Sequence, residues 1–196
     1  MAPSLAGGLL GERLAREVTV KLRPVLYVVA SGAAPARELP ALVADLSREW
    51  DTCVVTTPEG SRFFDVARVA EITGHPVRTS FKDPDAADIL PPASAFAAVP
   101  ATFNTINKWA AGISDTLALG LLNEAIGLGL PIVAVPWPNA ALARHPAFGR
   151  SMATLRGCGI SVIADPDNLP DDSKPGQARF PWDQLRSELT RIRAGF

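Results

Sequence analysis

The stretch Arg23-Pro24-Val25-Leu26-Tyr27-Val28-Val29-Ala30, closed by Ser31-Gly32, constrains the fold most, because a continuous apolar run of this length ending in a turn signal predicts a strand buried on both faces. Such a strand needs cover above and below. Ala36 to Trp50 follows with apolar residues at Leu39, Leu42, Val43 and Leu46, a helical spacing, and Asp51 to Thr57 supplies the next β-branched run. Ser61 to Ile72 predicts a second helix, with Thr73-Gly74-His75-Pro76-Val77 as its stop and a short strand after it. Further strands are expected over Ser94 to Ala101, Leu130 to Pro136 and Gly159 to Ala164. Helices are expected up to Gly112, from Thr116 to Gly127, near Phe148 to Arg156 and over Pro181 to Ile192, and Asp165 to Gln177, rich in Pro, Asp and Gly, reads as a loop. Strands alternating with helices predict an α/β fold of three layers, a parallel sheet with helices on both faces.

The 196 residues suit one core, expected over residues 23–196 behind an amino-terminal tail of residues 1–22. Met1 to Gly8 lacks a basic leading segment and charged residues follow it closely, so it reads as a tail and not as a signal peptide. Nineteen basic and twenty acidic side chains leave a net charge of −1 without a Lys/Arg cluster, which argues against nucleic acid as a partner. Every apolar run is interrupted before the roughly 20 residues a bilayer span requires. The two cysteines, Cys53 and Cys158, have neither metal-knuckle spacing nor the density of a disulfide scaffold, so a reducing cytoplasm and no metal are expected.

In an open parallel sheet the ligand sits beyond the carboxyl ends of the strands. The loop Ala30-Ser31-Gly32-Ala33-Ala34-Pro35 allows backbone N–H groups to approach a phosphate, or equally makes Ser31 an ordinary helix cap. Thr56-Thr57-Pro58-Glu59-Gly60-Ser61-Arg62-Phe63 again offers hydroxyls, with Phe63 able to cover a ring or to fill the core. The third loop is Pro100-Ala101-Thr102-Phe103-Asn104-Thr105, followed by Gly112-Ile113-Ser114-Asp115. The fourth is Pro136-Trp137-Pro138-Asn139-Ala140-Ala141-Leu142-Ala143-Arg144-His145-Pro146.

The third loop closely resembles the Pro-Ala-Ser-Ala-Asn-Thr motif and Gly-x-x-Asp segment of the homo-oligomeric flavin-containing cysteine decarboxylases. The fourth resembles that family's substrate segment, Pro-x-Met-Asn-x-x-Met-Trp with a nearby His-Pro. The resemblance runs to about Ile163; beyond it, Pro175 to Arg179 is only loosely similar to the family's substrate-covering flap. It implies a Rossmann-like or flavodoxin-like domain binding FMN. Ser31, Gly32, Thr57, Phe63, Pro100, Ala101, Thr102, Asn104 and Thr105 would form the flavin site, and Asn139 would act catalytically by contacting the substrate carboxylate. A small thiol acid or a peptide carboxyl terminus is the implied substrate, and a homo-oligomer, a trimer or a multiple of trimers, the implied assembly.

The chain departs from the family pattern in informative places. Phe103 replaces a small residue, Pro138 and Leu142 replace both methionines, and Ala143 stands at the aromatic position. Counting back from the third loop puts the family's catalytic His near Ala86, where Phe81 to Leu90 offers Lys82, Asp83, Asp85 and Asp88 but no His. His75 and His145 are the only two imidazoles and both read as structural, while Cys158 lies in a helix-to-strand turn and not in the flap. Three functions follow: oxidative decarboxylation of a peptidyl-cysteine or related thiol acid, FMN binding without decarboxylation, or a flavin prenyltransferase, which the Asn139 segment argues against.

Overall fold

The computed structural model describes residues 23–196, so the tail expected over residues 1–22 lies outside the described residues. Five strands, β1 (Val25–Ala30), β2 (Asp51–Thr56), β3 (Ala95–Ala101), β4 (Ile132–Pro136) and β5 (Ser161–Val162), form one parallel sheet in the order β2-β1-β3-β4-β5. The helices are α1 (Leu39–Leu46), α2 (Val66–Thr73), α3 (Phe103–Ala110), α4 (Leu117–Gly127), α5 (Ala140–Ala143), α6 (Pro146–Gly157) and α7 (Trp182–Arg193). Strand alternation sorts the core into two layers. Leu26, Val28 and Ala30 of β1 face Leu39 and Val43 of α1, Val69 of α2 and Leu185 and Leu189 of α7. Tyr27 and Val29 point the other way, into the layer holding Ile106 and Trp109 of α3, Leu122 of α4 and Leu155 of α6. This is the three-layer arrangement expected from the alternation, and its strand order is the flavodoxin-like one that the resemblance implied beside a Rossmann-like one.

Four elements differ from expectation, each for a local reason. Pro35 and Pro40 lack an N–H, and the chain starts its first helix twice: a 3₁₀ turn over Ala34–Glu38 precedes α1. The second helix likewise begins late, after a 3₁₀ turn at Gly60–Arg62, because Asp65 caps α2 by accepting from the Arg68 N–H at 3.0 Å. The short strand expected after His75 is a single bridge between Val55 and Arg78, since Pro76 cannot donate to a ladder. The last strand is also shorter than expected. Ile163 still donates to the Ala134 carbonyl at 2.9 Å, but Asp165 and Pro166 then turn the chain away.

Burial gives the core a titration signature. Cys53 on β2 is fully buried beside its register partner Tyr27, whose hydroxyl donates to the Pro91 carbonyl at 2.9 Å. Desolvation pushes the Cys53 thiol from 9.0 up to about 12. Burial first, then the neighbouring Cys53 charge, pushes Tyr27 from 10.0 up to about 12. The unfolded chain ionises both groups at their ordinary values, while the folded one resists. Their contribution to stability is therefore complete below about pH 9 and is lost as pH rises from there through about 12. Denaturant midpoints should fall steadily between pH 9 and 11, and Cys53 should react with a thiol reagent only on unfolding, whereas exposed Cys158 reacts at once.

Candidate functional site

Because β1 leads to β2 on one side while β3 lies on the other, the chain reverses direction across the sheet between β1 and β3. The carboxyl ends of these strands open a crevice. Ser31 and Pro100 line up across it, the Ser31 N–H donating to the Pro100 carbonyl at 2.9 Å. The Val99–Pro100 peptide is cis. Ser31 is buried and is not a helix cap; the turn that follows starts at Ala33 with no side-chain cap. Its hydroxyl instead pairs with that of Thr105 at 2.8 Å, and Thr105 pairs with Thr102 at 3.1 Å. Thr102 caps α3, accepting from the Thr105 N–H at 3.4 Å. Three hydroxyls joined by two hydrogen bonds leave one O–H hydrogen over, free to donate to a ligand. Asn104 stands exposed in the first turn of α3, where helix starts present N–H groups without intrahelical partners.

The β1 and β2 loops close one wall. A Cβ on Gly32 would stand 3.2 Å from the Glu59 Cβ and 3.3 Å from the Phe63 ring. Phe63 thus packs against the β1 loop at Gly32, with the Arg37 guanidinium 5.9 Å above its ring centroid. Thr57 spends its groups on the turn: its N–H donates to the Ala30 carbonyl at 2.9 Å, and its hydroxyl accepts from the Gly60 N–H at 3.1 Å. The fourth loop joins through Trp137, whose N–H donates to the Ala101 carbonyl at 2.8 Å. Asn139 is exposed and caps α5, its Oδ1 accepting from the Leu142 N–H at 2.8 Å. A backbone donor fixes which amide atom points inward, so Nδ2 is the end left for a ligand.

Phe103, the bulky replacement within the third loop, turns toward α6. Its ring stacks on Phe148 at 6.0 Å and meets the His145 ring edge-on at 5.8 Å. His145 caps α6, its Nδ1 accepting from the Ala147 N–H at 3.1 Å, which places the neutral ring's proton on Nε2. His75 lies at the opposite end of the sheet, 2.7 Å from Asp51 at the start of β2. Near Ala86 the side chains are exposed, and Lys82 pairs with Asp88 at 3.0 Å. No group of three or more candidate ligands for a metal occurs among the described residues.

The structure thus gathers Ser31, Pro100, Thr102 and Thr105 into one cluster, sets Gly32, Thr57 and Phe63 beside it, and places Asn139 on the next strand end. Sequence reasoning missed two supports. Asn107 accepts from Ser151 at 2.7 Å and donates to the Phe103 carbonyl at 3.0 Å, tying α3 to α6. Gly60 packs where no side chain fits, a role its place three residues after Thr57 could have signalled. Replacing Thr105 by Val should leave the buried Ser31 hydroxyl without its partner and cost about 1–3 kcal/mol in denaturant unfolding.

The Flavoprotein family model matches residues 15–192, and the chain belongs to that family. A curated cysteine/cysteine sulfinic acid decarboxylase from an unknown prokaryotic organism is 30% identical over 101 residues, which cover 48% of this chain and 27% of that protein. The match therefore spans little more than a quarter of that relative. Among solved structures, the FMN-dependent cysteine decarboxylase TvaF of thioviridamide biosynthesis superposes with a TM-score of 0.71 at 22% identity, covering 87% of this chain and 98% of its own. The FMN binding protein AtHal3 superposes with a TM-score of 0.69 at 20% identity, covering 89% and 98%. These two likenesses are likenesses of fold. The donor set fits a flavin: hydroxyls and open N–H groups at a switch-point crevice, beside glycines that let the loops close in.

Proposed function

We propose that this protein binds FMN in the crevice between β1 and β3 and oxidatively decarboxylates a thiol acid or a peptide ending in Cys. The observation that carries the reading is the orientation of Asn139, whose cap occupies Oδ1 and leaves Nδ2 as a neutral donor one strand end from the flavin motif. The Ser31–Thr105–Thr102 hydroxyls and the first turn of α3 would hold the cofactor, with Gly32 and Phe63 forming the adjoining wall. When bound, FMN would supply the two-electron oxidation of the thiol to a thioaldehyde, being itself reduced, and the thiocarbonyl so formed would accept the electron pair as carbon dioxide leaves. Asn139 positions the carboxylate without a countercharge, so the group that must depart is not held by an ion pair. The loop after β5 is tied beside it by the Ala140 N–H donating to the Pro170 carbonyl at 2.7 Å, and Phe180 packs edge-on against Trp137 at 5.0 Å. Exposed Asn104 and Asn139 suit a site completed by a neighbouring protomer, in a trimer or a multiple of trimers.

One observation favours a second reading, FMN binding without decarboxylation. His75 pairs with Asp51 at the far end of the sheet, His145 spends its basic Nδ1 on the α6 cap, and the segment around Ala86 offers only exposed carboxylates and Lys82. Purified holoprotein separates the two. It should be yellow or take up added FMN. Incubation with peptides ending in Cys should remove carbon dioxide plus two hydrogens from the peptide, read by mass spectrometry. A colourless protein that refuses FMN would defeat the cofactor claim, and a yellow one that changes no thiol acid would establish the second reading.

A further inference from the structure

The loop that carries Asn139 borders a cavity of about 230 Å³ that the reaction as described does not use. Pro136 and Pro138 form one side, Ala143 of α5 another, and Phe148 and Met152 of α6 a third, with Leu169 of the loop after β5 closing it. Arg156 and Asp165 are the only charged residues along its lining. Pro136, Pro138, Phe148 and Met152 are buried, so the walls are fixed by the core and not by mobile surface groups. Phe148 connects the cavity to the flavin motif, since its ring stacks on Phe103 in the first turn of α3.

Ala143 is the residue that opens this space. It stands where the resembled segment carries an aromatic side chain, and Pro138 stands where that segment carries the first methionine. Both substitutions remove flexible or bulky side chains from the wall next to Asn139. An apolar cavity of about 150 Å³ is already large enough to take up benzene. The space here therefore suits a branched aliphatic or phenyl group.

We propose that this cavity is a specificity pocket for a bulky apolar side chain next to the substrate's thiol-bearing acid, so that the preferred substrate is a peptide with Leu or Phe immediately before a carboxyl-terminal Cys. The proposal rests on the decarboxylase reading for the position of the carboxylate at Asn139. Burial of a Leu side chain favours such a peptide over its Gly counterpart by roughly 10- to 100-fold in affinity. The Ala143→Trp substitution fills the cavity and erases that preference.

The test uses the FMN-loaded protein and two peptide pairs, acetyl-Gly-Leu-Cys with acetyl-Gly-Gly-Cys, and the unreactive acetyl-Gly-Leu-Ser with acetyl-Gly-Gly-Ser. Dissociation constants are read from the flavin absorbance change and by calorimetry, and turnover from the mass of the Cys peptides. The Leu peptides should bind tighter in both pairs, and the advantage should appear in KM and not in kcat. Ala143→Trp, and the milder Ala143→Leu in case the larger ring disturbs folding, should bring the Leu and Gly peptides to equal affinity with flavin binding intact. Equal binding of Leu and Gly peptides by the unmodified protein, or a preference that survives both substitutions, would overturn the pocket. A protein that selects the Leu peptides but consumes none would keep the pocket and refute decarboxylation. One that consumes both Cys peptides alike would do the reverse.

Discussion

Gly60→Ala is expected to lower the thermal midpoint by on the order of 10 °C and to weaken flavin retention, although it adds a single methyl group. The Cβ of that alanine would stand 2.3 Å from the Thr56 hydroxyl oxygen and 2.7 Å from the Ala30 carbonyl oxygen. Neither atom can step aside freely. Thr56 Oγ1 donates to the same Ala30 carbonyl at 3.0 Å, and that carbonyl also receives the Thr57 N–H at 2.9 Å. The methyl would therefore wedge apart the ends of β1 and β2, where the site begins. Overpacking of this kind costs about 1–3 kcal/mol or somewhat more, and each kcal/mol moves the midpoint of a domain this size by about 2–4 °C. Gly149→Ala, inside α6 where a Cβ meets nothing within 4 Å, provides the contrast. It should stabilise by up to about 1 kcal/mol, because alanine is the better helix former. Differential scanning calorimetry on both variants separates the close approach from any general effect of removing a glycine, and equal midpoints would refute the wedge.

The layers were legible because burial imposes a simple pattern on sequence. Val25 to Ala30 and Ala95 to Ala101 are apolar without interruption since both faces of β1 and β3 are covered, and no polar alternation confuses their period. Boundaries were less legible where proline acts. Pro35, Pro40 and Pro76 each change a hydrogen-bonding pattern by lacking one donor, and whether the result is a 3₁₀ turn, a delayed helix or a lone bridge depends on neighbours distant in sequence. β5 ends for a comparable reason: Ile163 still bonds to Ala134, but Asp165 and Pro166 then turn the chain away while β4 runs on to Pro136.

The candidate site was legible as a set of residues but not as a set of bonds. Ser31 could cap a helix or face a ligand on local grounds alone. Only the approach of β1 and β3 brings Thr105, 74 positions away, within 2.8 Å and removes the capping option. Phe103 was a departure within a flavin motif whose reason lay in α6, in a ring it stacks upon. Asp115 of the Gly-x-x-Asp segment is similar: it closes onto Lys108 at 2.5 Å and so secures the turn after α3. Gly60 is less legible, because a glycine needed for closeness looks in sequence like any other turn residue, and only its spacing from Thr57 sets it apart.

Asn139→Asp should lower turnover of a Cys-terminated peptide by about a thousandfold at neutral pH while leaving fold and flavin content unchanged. Asp caps helices as well as Asn does, so the bond that Oδ1 now accepts from the Leu142 N–H survives the change and α5 keeps its start. What changes is the outward-facing atom. On the proposed decarboxylase reading, Nδ2, a neutral donor, becomes a carboxylate oxygen that would face the substrate's own carboxylate, and two unit charges about 4 Å apart near a protein surface repel by about 4 kcal/mol. Asn139→Ala removes donor and cap together, at a stability cost of about 1 kcal/mol, and serves to separate the two roles. The pH profile then distinguishes repulsion from simple loss of a contact. Protonation of the introduced carboxyl at acid pH restores a neutral donor, so the Asn139→Asp protein should recover activity relative to wild type as pH falls toward 4, whereas Asn139→Ala should not. Turnover that ignores both substitutions would remove Asn139 from the chemistry and leave the α5 cap as its whole purpose.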